Sequence, residues 1–87
     1  MKIEVTQDDI DNGLRIDCEL CPVAKAIVRA TGKQARVSAV GVFFFPETPS
    51  AKQIFLPSKV QLFIKSFDRK EPVQPFSFDL DIEVNDE

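Results

Sequence analysis

The chain has 87 residues, of which 44% are hydrophobic and 29% are charged, and it contains no His, Trp or Tyr. This length fits one domain, and the composition is that of an ordinary globular chain. No apolar run approaches the roughly 18 residues that cross a bilayer, which excludes a membrane span. The lack of His excludes His-based catalytic triads, metal sites and proton shuttles, and the alternating start of the chain predicts no leader peptide.

The net charge of −3 is unevenly divided along the chain. Residues 1–19 carry −4, residues 20–70 carry +7 and residues 71–87 carry −6. An acidic total disfavours a dedicated DNA-binding protein, which usually presents a clear positive surface. The basic middle leaves anion binding open, unless the acidic ends fold beside it and neutralise it.

A short strand followed by a short helix is predicted at the start of the chain. Residues 2–5 alternate between polar and apolar, which is the pattern of a strand with one buried face. Thr6 can cap the following helix, and Asp9 stands where a carboxylate suits both the cap and the helix dipole. Ile10 and Leu14 lie four positions apart, which places them on one helix face. The cluster of Asp, Asn and Gly at residues 11–13 predicts that this helix is short.

A second helix is predicted from Pro22, because the missing N–H of proline needs no partner at a first helical position. Val23, Ile27 and Ala30 share the predicted apolar face of this helix. Gly32 is a natural C-cap for it.

Two strands are predicted next. Residues 36–45 carry apolar side chains on both alternating faces, which indicates a single strand at the centre of a sheet. Residues 53–56 predict a short strand that pairs back as a hairpin.

A third helix and a last strand complete the predicted domain. Pro57 and Ser58 open the helix, which has apolar residues at positions i, i+3, i+4 and i+7. These residues are Val60, Phe63, Ile64 and Phe67. Residues 76–84 alternate strictly, which indicates a half-buried antiparallel strand. The predicted order is β-α-α-β-β-α-β, a single α+β domain over residues 1–87 with its helices on one face of a small antiparallel or mixed sheet.

The pair Cys18 and Cys21, just before Pro22, is the one chemical motif. A helix N-terminus lowers a thiol pKa and favours redox chemistry, although redox folds of this type place the pair after a strand in a longer pattern. Two cysteines at this spacing also supply half of a zinc site, which a carboxylate (Asp17 or Glu19) or a second subunit would have to complete. The simplest interpretation is two small buried side chains.

Three carboxylates, Asp79, Asp81 and Glu83, lie on the outer face of the last predicted strand. Carboxylates on one face can hold Ca²⁺ or Mg²⁺, but no glycine-containing loop wraps these three around an ion. A charged face that blunts an exposed strand is the favoured interpretation. A negative patch for a basic partner is the alternative.

Basic side chains follow the second helix, the strand after it and the third helix. The candidate anion-binding residues are Lys25, Arg29, Lys33, Arg36, Lys65 and Arg69. If both helices cover one face of the sheet, these groups border a shared groove for phosphate. Base readout and stacking would need further groups.

The consecutive rings Phe43, Phe44 and Phe45, together with Phe55, are the candidate interface residues. An alternating strand hides three successive rings only when both of its faces are covered. Either a helix covers the second face, or some of these rings meet a protein partner.

No enzyme constellation is visible, and no cofactor is predicted. The glycines stand alone at positions 13, 32 and 41, so there is no glycine-rich phosphate loop. The serines have no His to activate them.

About half of the chain resembles a group of short phage and prophage proteins to which no activity is assigned. The matching pieces are DCELCPVAKAI at residues 17–27, the pairs LP, FI and FD within residues 56–68, and VQPFSFDL at residues 73–80. The resemblance supplies no catalytic residue. It implies a small accessory protein of the bacterial cytoplasm that acts on a host factor.

The sequence therefore favours a non-enzymatic binding protein that forms a homodimer and contacts another macromolecule. The missing catalytic groups, the surplus of rings and the polarised charge support this hypothesis. Two alternatives stay open. One is binding of nucleic acid or a nucleotide by the basic helices, and the other is a thiol-redox or inter-subunit zinc protein built on Cys18 and Cys21.

Overall fold

The computed structural model describes residues 1–38, 41–45 and 54–80. The fold of these residues is α+β, with three helices and two small antiparallel sheets. The elements are β1 (Lys2–Val5), α1 (Gln7–Asn12), α2 (Pro22–Thr31), β2 (Gln34–Val37), β3 (Gly41–Phe45), β4 (Ile54–Phe55), α3 (Ser58–Asp68) and β5 (Phe76–Asp79). No helix within the described ranges is long and apolar enough to cross a membrane.

The strands form two sheets, where the sequence predicted one. Strand β1 pairs with β5, and β3 lies between β2 and β4 in the other sheet, with every pairing antiparallel. The prediction of one central strand over residues 36–45 is wrong, because β2 and β3 are the two arms of a hairpin. The backbone N–H of Ser38 donates to the carbonyl of Gly41 at 2.8 Å and closes the reversal. Between residues 37 and 45 only Ser38 and Gly41 are not apolar, so the sequence pattern did not reveal the turn.

The first strand and helix follow the local signals of the sequence, except at the helix end. Ile3 and Val5 are buried on one face of β1. The predicted cap is present, since Thr6 and Asp9 exchange hydrogen bonds between side chain and backbone. Helix α1 ends at Asn12, so the predicted place of Leu14 on its face is wrong.

Gly13, the C-cap of α1, has an extended backbone (φ −75°, ψ 153°) that ends the helix. A Cβ atom at this position would lie 2.6 Å from Cδ of Pro22 and 2.7 Å from the carbonyl oxygen of Asp9. Such distances are well inside van der Waals contact, so the close approach of α2 requires glycine here. The glycine thus allows α2 to begin directly against the end of α1.

Helix α2 matches its prediction at both ends. Cys21 is its N-cap, and Gly32 caps its C-terminus in the left-handed conformation at φ 71°. Val23 and Ile27 are buried as predicted, whereas Ala30 is exposed. This helix packs on both β1 and β2, so it joins the two sheets.

The core lies between α2, the inner faces of the sheets and α3. All four residues of the predicted apolar stripe of α3 are buried. Phe78 of β5 is buried opposite Ile3 of β1, which confirms the predicted antiparallel strand over residues 76–79. The remainder of that prediction, residues 81–84, lies outside the described residues.

Candidate interaction surface

The three-stranded sheet has a buried inner face and an open outer face. The buried residues of the inner face are Ala35, Val37 and Val42. Directly paired residues of antiparallel strands share a face. Arg36 pairs with Phe43, and Gly41 pairs with Phe55, so these four residues belong to the opposite, outer face.

The four candidate interface phenylalanines occupy different environments. Phe55 is 72% exposed on the outer face, and the residue opposite it is Gly41, which has no side chain. Phe43 is half-buried on the same face, while Phe44 packs against the core from the inner face. The backbone of Phe45 continues β3, but its side chain lies outside what the structure describes.

A second exposed apolar surface is the loop of residues 13–20, which sequence reasoning missed. Leu14, Ile16 and Leu20 are 49%, 84% and 47% exposed. The N–H of Leu14 donates to the carbonyl of Leu20 at 2.9 Å and closes the loop. Ile16 has φ 53°, a left-handed conformation that is rare for a β-branched residue. The Asn-Gly pair at residues 12–13 was the available signal that α1 stops before this loop.

The loop is attached to the C-terminal end of α3. The guanidinium carbon of Arg15 lies 5.3 Å from the centre of the Phe67 ring, and its Nε donates to the Phe67 carbonyl at 3.2 Å. The N–H of Ile16 donates to Oδ1 of Asp68 at 3.0 Å. These contacts stabilise the left-handed backbone conformation of Ile16.

Arg29, one of the predicted anion-binding residues, binds a carboxylate of the protein itself. Its two terminal nitrogens lie 2.6 Å and 2.7 Å from the two carboxylate oxygens of Asp9, and one of them also donates to the Glu4 carbonyl at 2.8 Å. Arg29 therefore ties α2 to α1 and β1.

The electrostatics of this pair follow from its geometry. The Asp9 side chain is only 3% exposed. Burial by itself raises the pKa of Asp9, but the hydrogen bonds from Arg29 and Thr6 outweigh it, so the pKa is lowered below its usual value. The same bond raises the pKa of Arg29. Both groups are consequently charged at neutral pH.

The other five anion-binding candidates do not line either of the two grooves that described residues form beside β1. Arg36 pairs with Glu19 at 3.2 Å. Lys33, Lys65 and Arg69 are exposed, and Lys25 is half-buried. A shallow groove of about 240 Å³ lies at Arg29, and its lining includes none of those five.

The two cysteines lie in different environments in the turn before α2. The interpretation of two buried side chains is right for Cys21 and wrong for Cys18, which is exposed because its backbone, not its thiol, faces β2. The buried Cys21 accepts the N–H of Ala24 at its sulfur, at 3.4 Å, and thereby caps the helix. The carbonyl of the exposed Cys18 accepts the N–H of Val37 at 2.7 Å, which attaches the turn to β2. Asp17 closes the turn by accepting the N–H groups of two following residues.

The chemistry of the cysteine pair is limited by its surroundings. Burial raises the pKa of the Cys21 thiol, so it is protonated at neutral pH. Within the described part of the chain, no cluster of three or more His, Cys, Asp or Glu side chains could hold a metal ion. Of the predicted acidic face, Asp79 is exposed and lies opposite Lys2 in the pairing of β5 with β1. Asp81 and Glu83 lie outside the described residues.

Comparison with protein-family models, curated proteins and solved structures finds no match for this chain. The geometry therefore carries the functional argument. It defines a small α+β fold with an aromatic sheet face open to contact.

Proposed function

We propose that this chain is a non-enzymatic binding protein that contacts another protein through the outer face of its three-stranded sheet. One observation carries the proposal: Phe55 is 72% exposed in a strand, with Phe43 on the same face. Aromatic side chains supply much of the contact energy in protein interfaces.

The charge pairing favours a protein partner over a phosphate-bearing one. Arg29 and Arg36, two of the predicted anion ligands, each bind a carboxylate of the chain. Arg36 also lies on the outer face, opposite Phe43. Arginine beside exposed rings is a composition that protein interfaces favour.

The resemblance to phage and prophage proteins extends the proposal to a biological setting. On that basis the partner is a bacterial host protein, and the chain acts in the cytoplasm. The homodimer is proposed on a different ground, because a chain of this length buries only about 60–65% of its unfolded surface and has a thin stability margin.

The variant Phe55→Ser tests the proposed surface, and Leu62→Ser is its matched control. Leu62 is 63% exposed on α3, so both variants remove an exposed apolar side chain, and both are expected to keep the unfolding free energy within about 0.5 kcal/mol. Tagged wild type and variants are incubated with bacterial extract, and retained proteins are quantified by mass spectrometry. We expect a partner that wild type and Leu62→Ser retain and that Phe55→Ser loses by roughly tenfold or more.

Two outcomes would contradict the proposal. Equal retention by Phe55→Ser would exclude this face. Retention of nucleic acid that disappears steeply with added salt would support the basic groups as the binding site.

A further inference from the structure

The ribbon formed by β1 and β5 has two long edges with backbone polar groups. Met1 and Leu80 exchange both backbone hydrogen bonds, at 2.8 Å and 2.9 Å. This pair shows which residues of β1 direct their backbone groups toward β5 and which direct them away. In an antiparallel pair every second residue bonds to its partner strand, so the N–H and C=O groups of Lys2 and Glu4 point away from β5. These groups of Lys2 and Glu4 are termed the β1 edge.

The β1 edge is accessible. Within the described residues, β5 is the one strand that pairs with β1, so no strand occupies this edge. A shallow groove of about 240 Å³ borders the edge, between β1 and the exposed side of α2. Arg29 donates to the Glu4 carbonyl at 2.8 Å, and a carbonyl oxygen can accept a second hydrogen bond.

We propose that a second copy of this chain docks on the β1 edge, antiparallel, with the two-fold axis passing beside Ile3. In this register Lys2 lies opposite the partner's Glu4, and the two residues exchange N–H···O=C bonds on each side of the axis. The result is a four-stranded sheet in the order β5-β1-β1′-β5′. This proposal assigns an interface to the homodimer of the proposed function. It depends on the homodimer alone and not on partner binding by the outer face.

Charge complementarity argues for a second copy over another extended chain. Lys2 and Glu4 are two residues apart, so their side chains share the exposed face of β1. The proposed register places Lys2 of each copy opposite the partner's Glu4, so two opposite-charge pairs form between the copies. They replace a loose, exposed contact within each chain, where Lys2 Nζ lies 3.8 Å from Glu4 Oε1. An isologous interface requires this kind of self-complementarity. A shift of one residue would place Lys2 opposite the partner's Ile3 and reverse the faces of the strand. A shift of two residues would keep the faces but place like charges opposite each other.

Charge reversal tests the register. The wild type is expected to dimerise in sedimentation equilibrium over about 1 µM to 1 mM. Glu4→Lys places Lys opposite Lys at both pairs, and Lys2→Glu places Glu opposite Glu. Each change is expected to weaken dimerisation on the order of tenfold or more. The double variant Lys2→Glu/Glu4→Lys restores both pairs with reversed polarity and is expected to return to near the wild-type dissociation constant.

Controls separate the interface from folding and from the outer face. Asp79→Asn changes a charge on the same face of the ribbon but on β5, so dimerisation should persist. Circular dichroism melts confirm that each variant is folded. Phe55→Ser is expected to dimerise normally, so loss of partner binding and loss of the dimer are distinguishable failures.

A backbone test complements the charge test. Glu4→Pro removes an N–H that the ladder with β5 does not use, and it is expected to abolish the dimer while the ribbon stays folded. A wild type that stays monomeric up to about 1 mM, or a double variant as weak as the single ones, overturns the proposal. A dimer that persists in the Glu4→Pro variant also overturns the proposal.

Discussion

Replacing Arg29 by Met removes the guanidinium that neutralises a buried carboxylate while keeping most of the aliphatic side chain. The Asp9 side chain is 3% exposed, and Arg29 supplies two of its hydrogen bonds. In the variant, Asp9 must either stay charged without a cation or take up a proton. Both alternatives destabilise the folded state at neutral pH.

The magnitude follows from how deeply each partner is buried. Removing one member of a fully buried ion pair costs about 3–5 kcal/mol. The Arg29 side chain is 52% exposed, and the Thr6 N–H still donates to the Asp9 carboxylate. Water and this capping hydrogen bond therefore compensate for part of the stabilisation that Arg29 provided. We therefore expect a loss of about 2 kcal/mol, which for a domain of this size lowers the melting temperature by roughly 8–16 °C.

The assay is thermal and urea unfolding at pH 7, followed by circular dichroism. Lys33→Met is the control, since it removes an exposed cation near the end of the same helix and is expected to change stability by less than about 0.5 kcal/mol. In an Asp9→Asn background, Arg29→Met should cost at least about 1 kcal/mol less than in the wild type. A melting temperature for Arg29→Met within about 3 °C of wild type would refute the reasoning.

Two further predictions concern protonation and thiol access. The folded pKa of Asp9 lies below its unfolded value of about 3.9, so its contribution to stability is complete above that pH and is lost as the pH falls through the folded pKa. Asp9→Asn should therefore flatten the acid limb of a stability–pH curve, and an unchanged limb would contradict this. Iodoacetamide should modify the native protein once, at the exposed Cys18, and twice in urea, because Cys21 is buried with a raised thiol pKa. Rapid double modification of the native protein, read by mass spectrometry, would show that Cys21 is accessible.

The sequence predicted the helices well because their signals are local. The Thr6 cap, Cys21 before Pro22, Gly32 and the four-residue stripe of α3 each act within one or two helical turns. The hairpin of β2 and β3 was missed for the opposite reason. An apolar run can form one central strand or two paired strands. The Ser38 hydrogen bond that distinguishes these two arrangements exists only when the strands pair, so it leaves no local signal in the sequence.

The candidate surface was predictable in part. The excess of rings indicated exposure, but alternation could not say which ring, because that depends on Gly41 standing opposite Phe55 in a register set by the turn. Arg29 looked like an anion ligand because its acid partner, Asp9, is 20 residues away in the chain. The strained Ile16 left no sequence pattern, since its contact, Asp68, is distant in the chain as well.

The attachment of the 13–20 loop to α3 has a consequence for cleavage by proteases. Exposed loops are preferred sites of proteolytic nicking, and Arg15 supplies the basic side chain that trypsin recognises. A protease binds its substrate as an extended segment, whereas this loop is closed between Leu14 and Leu20 and attached at Ile16 to Asp68. The Arg15 side chain is exposed, but it lies over Phe67 and donates to the Phe67 carbonyl, and a protease would have to break both contacts to bind it. We therefore expect cleavage after Arg15 to be slow for an exposed segment and to become faster when the end of α3 unfolds.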